Sequence, residues 1–468
     1  MKYEQDLETA LQEIMTRWDI PGLAVGIVEG DEIVYARGLG VQSLESDVPV
    51  TLDSIFCVLS VSKCFVATAI LQLVEGGILD LDAPLVQYLP YFRMDDERYL
   101  RITICQALSH TSGMPDIDES EYIEWMAQPE VDDGAAERFV RSLEDKHLIA
   151  NPGESFSYSN IAYNVLGDLL AKVSNDSFEN AMREQLLSPS GMSNSTFLLA
   201  EVPANRLVWP HLRSPEMRVN ASYPYHRADA PSSFLHTTIM DMCHWGMISL
   251  KRGSRLGRRI LSAEGYDLMW SPVAKRGNPP SIYEEMGLGW TLGHYRGLRT
   301  VSHGGAGVGS TAFLLLLPEK NGVAVVLCND ESDACNLAAR AVADALIGQK
   351  PQTSKVSWMV PISRALARGG IAAAYSRYRE LDAEVYDLDP YDLNSLALQL
   401  QMAKEVELAI EVLGLTTDVY PQHVHSYVQM GRLYLLKGEN ALARETLLKA
   451  LSIEPTDATA AGLLKRLH

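Results

Sequence analysis

Apolar and polar residues recur along this chain with two periods, and the periods divide it. From residue 5 to 18, Leu7, Ala10, Leu11, Ile14, Met15 and Trp18 share one helical face, and Ile20-Pro21-Gly22 ends the run. "LAVGIVEGDEIVYARGLG" follows as two β-rich runs around Glu29-Gly30-Asp31, the pattern of a hairpin. The β pattern returns far downstream in "RTVSHGG", "GSTAFLLLLP" and "GVAVVLCND", which are separated by Gly-rich or Pro-Glu-Lys-Asn-Gly turns. "DACNLAARAVADALIG" then reads as a helix stopped by Gly348. Strands near both ends of a largely helical middle predict an antiparallel sheet assembled from distant segments, an α+β fold.

Beyond residue 350 the pattern changes. "PQTSKVSW" (351–358) is polar and reads as an unstructured linker, and the rest of the chain is helical and repeats. Ala409 and Ala443, Leu413 and Leu447, Pro421 and Pro455, and Ala397 and Gly431 each stand 34 residues apart. Small residues let two antiparallel helices touch, and the proline ends each unit. This period and "MGRLYLLKGENALARETLLKALSIEP" resemble the tetratricopeptide repeat. The copy at 424–457 fits better than the one at 390–423, and "GGIAAAYSRYRELDAE" reads as a capping helix pair. Two repeats are too few for a free-standing solenoid, so the module is expected to pack on the main domain.

Composition narrows the function classes. The chain has 468 residues, 47% hydrophobic and 21% charged, with 60 acids against 40 bases and a net charge of −20. That balance supplies no basic footprint for nucleic acid and disfavours an anionic membrane surface. No stretch reaches the roughly 18 apolar residues of a membrane span. The amphipathic, acidic start has no signal-peptide pattern, so a cytoplasmic protein is expected. Six scattered cysteines form no CxxC pair, which suggests neither a zinc site nor a disulfide framework. No metal or cofactor is expected. His423 and His425 lie in the repeat region without an obvious third ligand.

The chemistry is concentrated in "FCVLSVSKCF" (56–65). The run from Ser60 has helical periodicity through Leu73 and stops at Gly76-Gly77. Ser60 then sits at a helix N-terminus, with Lys63 one turn later on the same face. Free N–H groups and positive potential at that end favour an alkoxide and an oxyanion. A lysine between apolar walls loses charge more readily and becomes a base for the serine. Ser62 precedes Lys63 directly and does not face it. Two other stretches carry candidate groups. "NPGESFSYSNIAYNVLG" places Tyr158 and Asn160 before a helix, and "TVSHGGAGVGS" places His303, Gly304 and Gly305 at a strand, where glycine permits close approach of a ligand.

In this order SxxK, YxN and His-Gly-Gly resemble the penicillin-recognising serine hydrolases, over roughly residues 5–348. "LVEGGILDLDAPLVQYLPYF" and "ITICQALSHTSGMPD" are similar to the class C β-lactamase branch with its D-aminopeptidases and esterases. The resemblance implies a serine β-lactamase-like sheet flanked by helices, plus a helical subdomain. It implies Ser60 as nucleophile, Lys63 as its activator and Tyr158 as general base. A phenol needs its pKa near 10 lowered for that task, and a neighbouring ammonium helps. Asn160 would hold the substrate's acyl side chain. The N–H groups of Ser60 and Ala306 would form the oxyanion hole.

His303 stands where lysine is frequent, so its charge is expected to be partial and pH-dependent. Gly304 replaces a hydroxyl residue. Both departures fit esterases and peptidases better than an efficient β-lactamase. His110 reads as a turn residue. Arg227 and His236, in a loop and helix expected near the cleft, remain unassigned.

The expected organisation is a catalytic domain over 1–350, a linker and capping helices over 351–389, and helical repeats over 390–468. The expected activity is hydrolysis of small esters, amides or D-peptides through an acyl-enzyme. Acyl transfer or transpeptidation from the same intermediate is one alternative. A non-catalytic scaffold, its repeats contacting proteins or other copies, is the other.

Overall fold

The computed structural model describes residues 4–117, 119–255, 257–352 and 355–467. The chain divides into two compact units. The first gathers Ile20–Pro210 and Ser222–Thr353 with the N-terminal helix up to Met15. The second gathers Thr16–Asp19, His211–Ala221 and Ser354–His468.

The first unit is built on a nine-stranded antiparallel sheet. Its spatial order is Ala274–Lys275, Glu285–Met286, Thr291–Tyr295, Leu298–Gly307, Ser310–Leu317, Gly322–Cys328, Gly22–Glu29, Glu32–Ser43 and Ser46–Pro49. The N-terminal hairpin joins the C-terminal strands through Gly22–Glu29 and Gly322–Cys328, with Leu23 opposite Cys328 and Val28 opposite Val323. Both strands are buried along nearly their whole length because helices cover both faces. On one face, a Cβ at Gly26 would strike Cys243 Sγ and one at Gly246 would strike Val323, so the helix Ile239–Leu250 lies flush on the sheet. The helix Ala334–Leu346 lies against the other face, where Leu346 approaches Gly322. Two covered faces explain why "GVAVVLC" reads as an unbroken apolar run.

The helix Ser62–Glu75 shares the face of Ile239–Leu250, and Phe65 stacks on Trp245 with ring centres 4.3 Å apart. The hairpin turn after Gly307 has two residues, Val308 and Gly309, both with positive φ. Such a turn matches the twist of the strands it joins.

In the second unit, Pro390–Met402 and Val406–Val419 form one helix pair, and Val424–Leu436 and Asn440–Ile453 form the next at the 34-residue offset. Ala397, Ala409, Leu413, Ala443 and Leu447 are buried. A Cβ at Gly431 would lie 2.7 Å from Leu447, so this position keeps its pair close. The polar stretch before the repeats differs from its expected linker character. Val356–Ser357 pairs in parallel with Tyr386–Asp387, and Trp358 is buried, donating to the Asp389 carbonyl at 2.7 Å. The hairpin His211–Arg213/Met217–Val219 also belongs here, and Gln399 Oε1 accepts the Arg213 N–H at 2.8 Å. No described helix is long and apolar enough to cross a membrane.

Candidate active site

Ser60 lies in a single 3-10 turn, Leu59–Val61, that runs into the helix from Ser62. The turn's hydrogen bonds begin with Val61 N–H to Val58 O, so the Ser60 N–H precedes them. Leu59 enters the turn with φ +48°, a strained conformation for a branched side chain, and strain of this kind clusters at functional sites. Ser62 points away, its Oγ accepting the Leu235 N–H at 3.0 Å in the core.

Lys63 is fully buried, but its walls are not apolar as expected. Its Nζ donates to Ser60 Oγ at 3.0 Å, to Asn160 Oδ1 at 2.7 Å and to the Ser232 carbonyl at 2.8 Å. Three acceptors match the three N–H donors of an ammonium group. The same Nζ lies 5.0 Å from the centre of the Tyr158 ring, so the Lys63 amine, the Ser60 hydroxyl and the phenol form one cluster.

Tyr158 precedes the helix Asn160–Ser174, whose N-cap is Ser159. Its ring stacks on His110 at 4.2 Å. His110 Nδ1 accepts the Ser159 N–H at 3.0 Å, which fixes its proton on Nε2. Burial, aided by the charges of Lys63 and Arg276, holds His110 well below its usual pKa. His110 is therefore a neutral platform under Tyr158, a larger part than the turn residue its sequence suggested. Asn160 is held at both ends, because its Nδ2 and backbone N–H donate to Asp116 at 3.2 and 2.9 Å while its Oδ1 receives Lys63.

His303 lies on Leu298–Gly307 and is buried. Its Nδ1 donates to the Gly304 carbonyl at 2.7 Å. Burial, reinforced by Lys63 and Arg276, pushes its pKa down to about 3. The partial charge expected from the sequence is thus corrected. His303 is neutral, and its Nε2 is a lone pair without a partner among the described residues.

Gly305 faces the Ser60 turn, where a Cβ would come within 2.3 Å of Val58 O and 2.9 Å of Ser60 N. Gly304 faces the other side of the sheet, toward Phe313. The two-residue turn makes Gly307 and Ser310 a hydrogen-bonded closing pair. Pairs alternate along an antiparallel ladder, so the Ala306 N–H points to the opposite edge. That edge is open, because its neighbour Thr291–Tyr295 begins opposite Ser302.

Arg227 and His236 are taken by other partners. Arg227 forms a bidentate pair with Glu179 at 2.7 and 2.9 Å. The ring nitrogens of His236 meet the Phe234 carbonyl and the Tyr223 hydroxyl, both at 3.0 Å. His423 Nδ1 meets Ser426 Oγ at 2.8 Å. Among the described residues no three His, Cys, Asp or Glu side chains are grouped to hold a metal ion. Sequence reasoning missed Asp116, the Ser232 carbonyl and Arg276. Asp116 closes "SHTSGMPD", and that stretch was the only available signal for it.

The description "Beta-lactamase" belongs to the family model that matches residues 7–349, most of the chain. The chain belongs to the beta-lactamase family. This family, which includes penicillin-binding protein homologues, is one of serine hydrolases. Penicillin-binding protein 4 of Amycolatopsis lactamdurans is 30% identical over 330 residues, 68% of this chain and 82% of that protein. Protein flp of Staphylococcus aureus (strain MW2) is 25% identical over 331 residues, 70% of this chain and 64% of its own length. The chain therefore spans just under two thirds of protein flp. Among solved structures, the octameric penicillin-binding protein homologue from Pyrococcus abyssi superposes with a TM-score of 0.66 at 26% identity, covering 78% of this chain and 81% of that one. The penicillin-binding protein from Bacillus halodurans shares the beta-lactamase fold with a TM-score of 0.61 at 23% identity, covering 72% of this chain and 99% of its own.

Proposed function

We propose that this chain is a serine hydrolase of the class C-like branch, acting on small esters, amides or D-peptides. The observation that carries the reading is Lys63 Nζ, 3.0 Å from Ser60 Oγ and lodged between that hydroxyl, Asn160 and the Ser232 carbonyl. Ser60 Oγ attacks the acyl carbon while its proton passes to the Tyr158 oxygen, the general base of this reading. The carbonyl π pair moves onto the oxygen, which the N–H groups of Ser60 and Ala306 receive. Collapse breaks the bond to the leaving group, which takes the proton from Tyr158. Water then repeats the sequence on the acyl-enzyme, Tyr158 taking its proton and returning one to Ser60.

His303 favours esterase or peptidase chemistry over efficient β-lactam turnover. Its neutral imidazole offers a lone pair where a lysine would offer a fixed charge. The 34-residue recurrence of helix boundaries supports a tetratricopeptide-like module with a role in protein contacts.

Turnover of a short-chain nitrophenyl ester tests the proposal, with Ser60→Ala as control. Hydrolysis by wild type and its loss in the variant are expected. Diversion of the acyl group to added amines, at the expense of hydrolysis, would favour acyl transfer. Equal rates in both proteins would refute the assignment of Ser60.

A further inference from the structure

One of the three acceptors around the Lys63 ammonium is a group that can be turned end for end. The Ser232 carbonyl is main chain, and the Ser60 hydroxyl can both donate and accept. Asn160 is different. Its amide carries an acceptor at one end and a donor at the other, and only Oδ1 can receive the lysine, at 2.7 Å. Turning the amide over would set its NH2 group against the ammonium and leave two donors facing each other. Something must hold its direction.

Asp116 meets the other end. Its Oδ2 accepts Asn160 Nδ2 at 3.2 Å. Its Oδ1 accepts two main-chain N–H groups, those of Asn160 and Ile117, both at 2.9 Å. Three donors and no acceptor meet this side chain among the described residues, the pattern an ionised carboxylate satisfies. The chain beside it is tied to the same helix cap, because Ser159 Oγ donates to the Pro115 carbonyl at 2.7 Å and accepts the Ala162 N–H at 3.1 Å. Asp116 is itself exposed, so core packing does not require it, and its bonds go only to Asn160 and to its own neighbour Ile117.

We infer that Asp116 is a positioning residue: it fixes the direction of the Asn160 amide, so that Lys63 meets an acceptor beside Ser60. The inference rests on the hydrolase reading for what Lys63 does, but the coupling of Asp116 to Asn160 has its own test. Asp116→Asn nearly keeps the shape. The two main-chain N–H groups hold the remaining oxygen in the place of Oδ1, so the new NH2 group takes the place of Oδ2 and meets Asn160 as a donor. Asn160 must then turn its oxygen toward position 116 and its own NH2 toward Lys63. Exchanging the pair, Asp116→Asn with Asn160→Asp, again sets a donor against an acceptor at that contact and an acceptor against Lys63, with the total charge unchanged.

The test measures kcat and KM on a short-chain nitrophenyl ester, and thermal unfolding, for wild type, both single variants and the exchanged pair. Asp116→Asn should lose about tenfold or more, the worth of one hydrogen bond to a charged group, and mostly in kcat rather than KM. Asn160→Asp sets two carboxylates against each other and should also lose activity. The exchanged pair should exceed both single variants and return to within about threefold of wild type. A merely structural role would lower the unfolding temperature of Asp116→Asn and leave kcat unchanged, which overturns the inference, as does an exchanged pair no more active than the single variants. Failure of wild type to turn over the ester would count against the hydrolase reading, and unfolding then decides. Losses of stability in the single variants that the exchange recovers uphold the coupling, whereas losses that simply add, or no losses, overturn it.

Discussion

Gly305→Ala probes how closely the His303 strand must lie against the Ser60 turn. The added Cβ would sit 2.3 Å from Val58 O, 2.9 Å from Ser60 N and 3.0 Å from Leu59 Cβ, against 3.4–4 Å for ordinary contact. The nearest atoms are backbone. Val58 N–H is bonded to the Leu235 carbonyl at 3.0 Å and Val58 O accepts Val61 N–H, so the turn resists local rearrangement. Strand and turn must then separate by roughly 1 Å, because repulsion rises steeply inside contact distance. Relief through the turn moves the Ser60 N–H, and relief through the strand moves the adjacent Ala306 N–H. Either widens the proposed oxyanion site, and a displacement of about 1 Å costs on the order of 10²-fold in rate. Overpacking adds about 1–3 kcal/mol of destabilisation. Gly304→Ala is the matched control, since the nearest neighbours of its Cβ are side-chain atoms, the Phe313 ring at 3.2 Å and the Tyr283 hydroxyl at 3.8 Å. Ester kcat/KM and thermal unfolding should be measured on both variants. Gly305→Ala near wild-type activity, or Gly304→Ala equally damaged, would refute the reasoning.

Two further predictions concern buried titrating groups. Asp229 lies behind Ser232, accepting from Ser232 Oγ at 2.6 Å and Asn164 Nδ2 at 2.8 Å, and burial raises its pKa from 3.8 to about 6 against the opposing pull of those bonds and Lys63. A raised carboxyl favours the fold fully below its unfolded pKa, and that contribution is lost as pH rises through about 6, by about 3 kcal/mol. Asp229→Asn keeps both acceptor bonds, so it should stabilise the protein at pH 7.5, lose that advantage near pH 4, and slow catalysis by removing a charge near Lys63; equal unfolding midpoints at pH 7.5 would contradict this. His303 and His236 are neutral in the fold, with burial pushing them down to about 3 and about 4 from 6.5. Their contribution is intact above pH 6.5 and falls as pH drops, at about 2.7 kcal/mol per pH unit for the two between pH 6 and 4. Asp229 opposes this over the same range, so the loss measured by urea unfolding should be steeper in Asp229→Asn than in wild type, and a flat profile in both would sink the account.

What could be read from the sequence was local. Ser60 and Lys63 are three residues apart, and helical spacing alone brings amine and hydroxyl together. The strands Gly22–Glu29 and Gly322–Cys328 were legible because their apolar runs are bounded by turn residues. The charge environment was not. Asn160 and the Ser232 carbonyl reach Lys63 from 97 and 169 residues away, so the lysine's neighbours in sequence misrepresent its neighbours in space. His303 carries a reference pKa near 6.5 in any sequence, and only the fold supplies the burial and the two cations that depress it. Arg276 stands beside strands two residues long, too short to show a period. The membership of His211–Ala221 in the second unit likewise depends on distant bonds such as that of Arg213 to Gln399.

The central claim is that Ser60, and not its neighbour Ser62, carries the acyl group. Intact mass after brief incubation with a fluorophosphonate or a slow nitrophenyl ester, followed by fragmentation of the peptide holding both serines, tests it most directly. The account predicts one adduct per chain, located on Ser60 and absent in Ser60→Ala. An adduct on Ser62, or labelling that persists in Ser60→Ala, would contradict it.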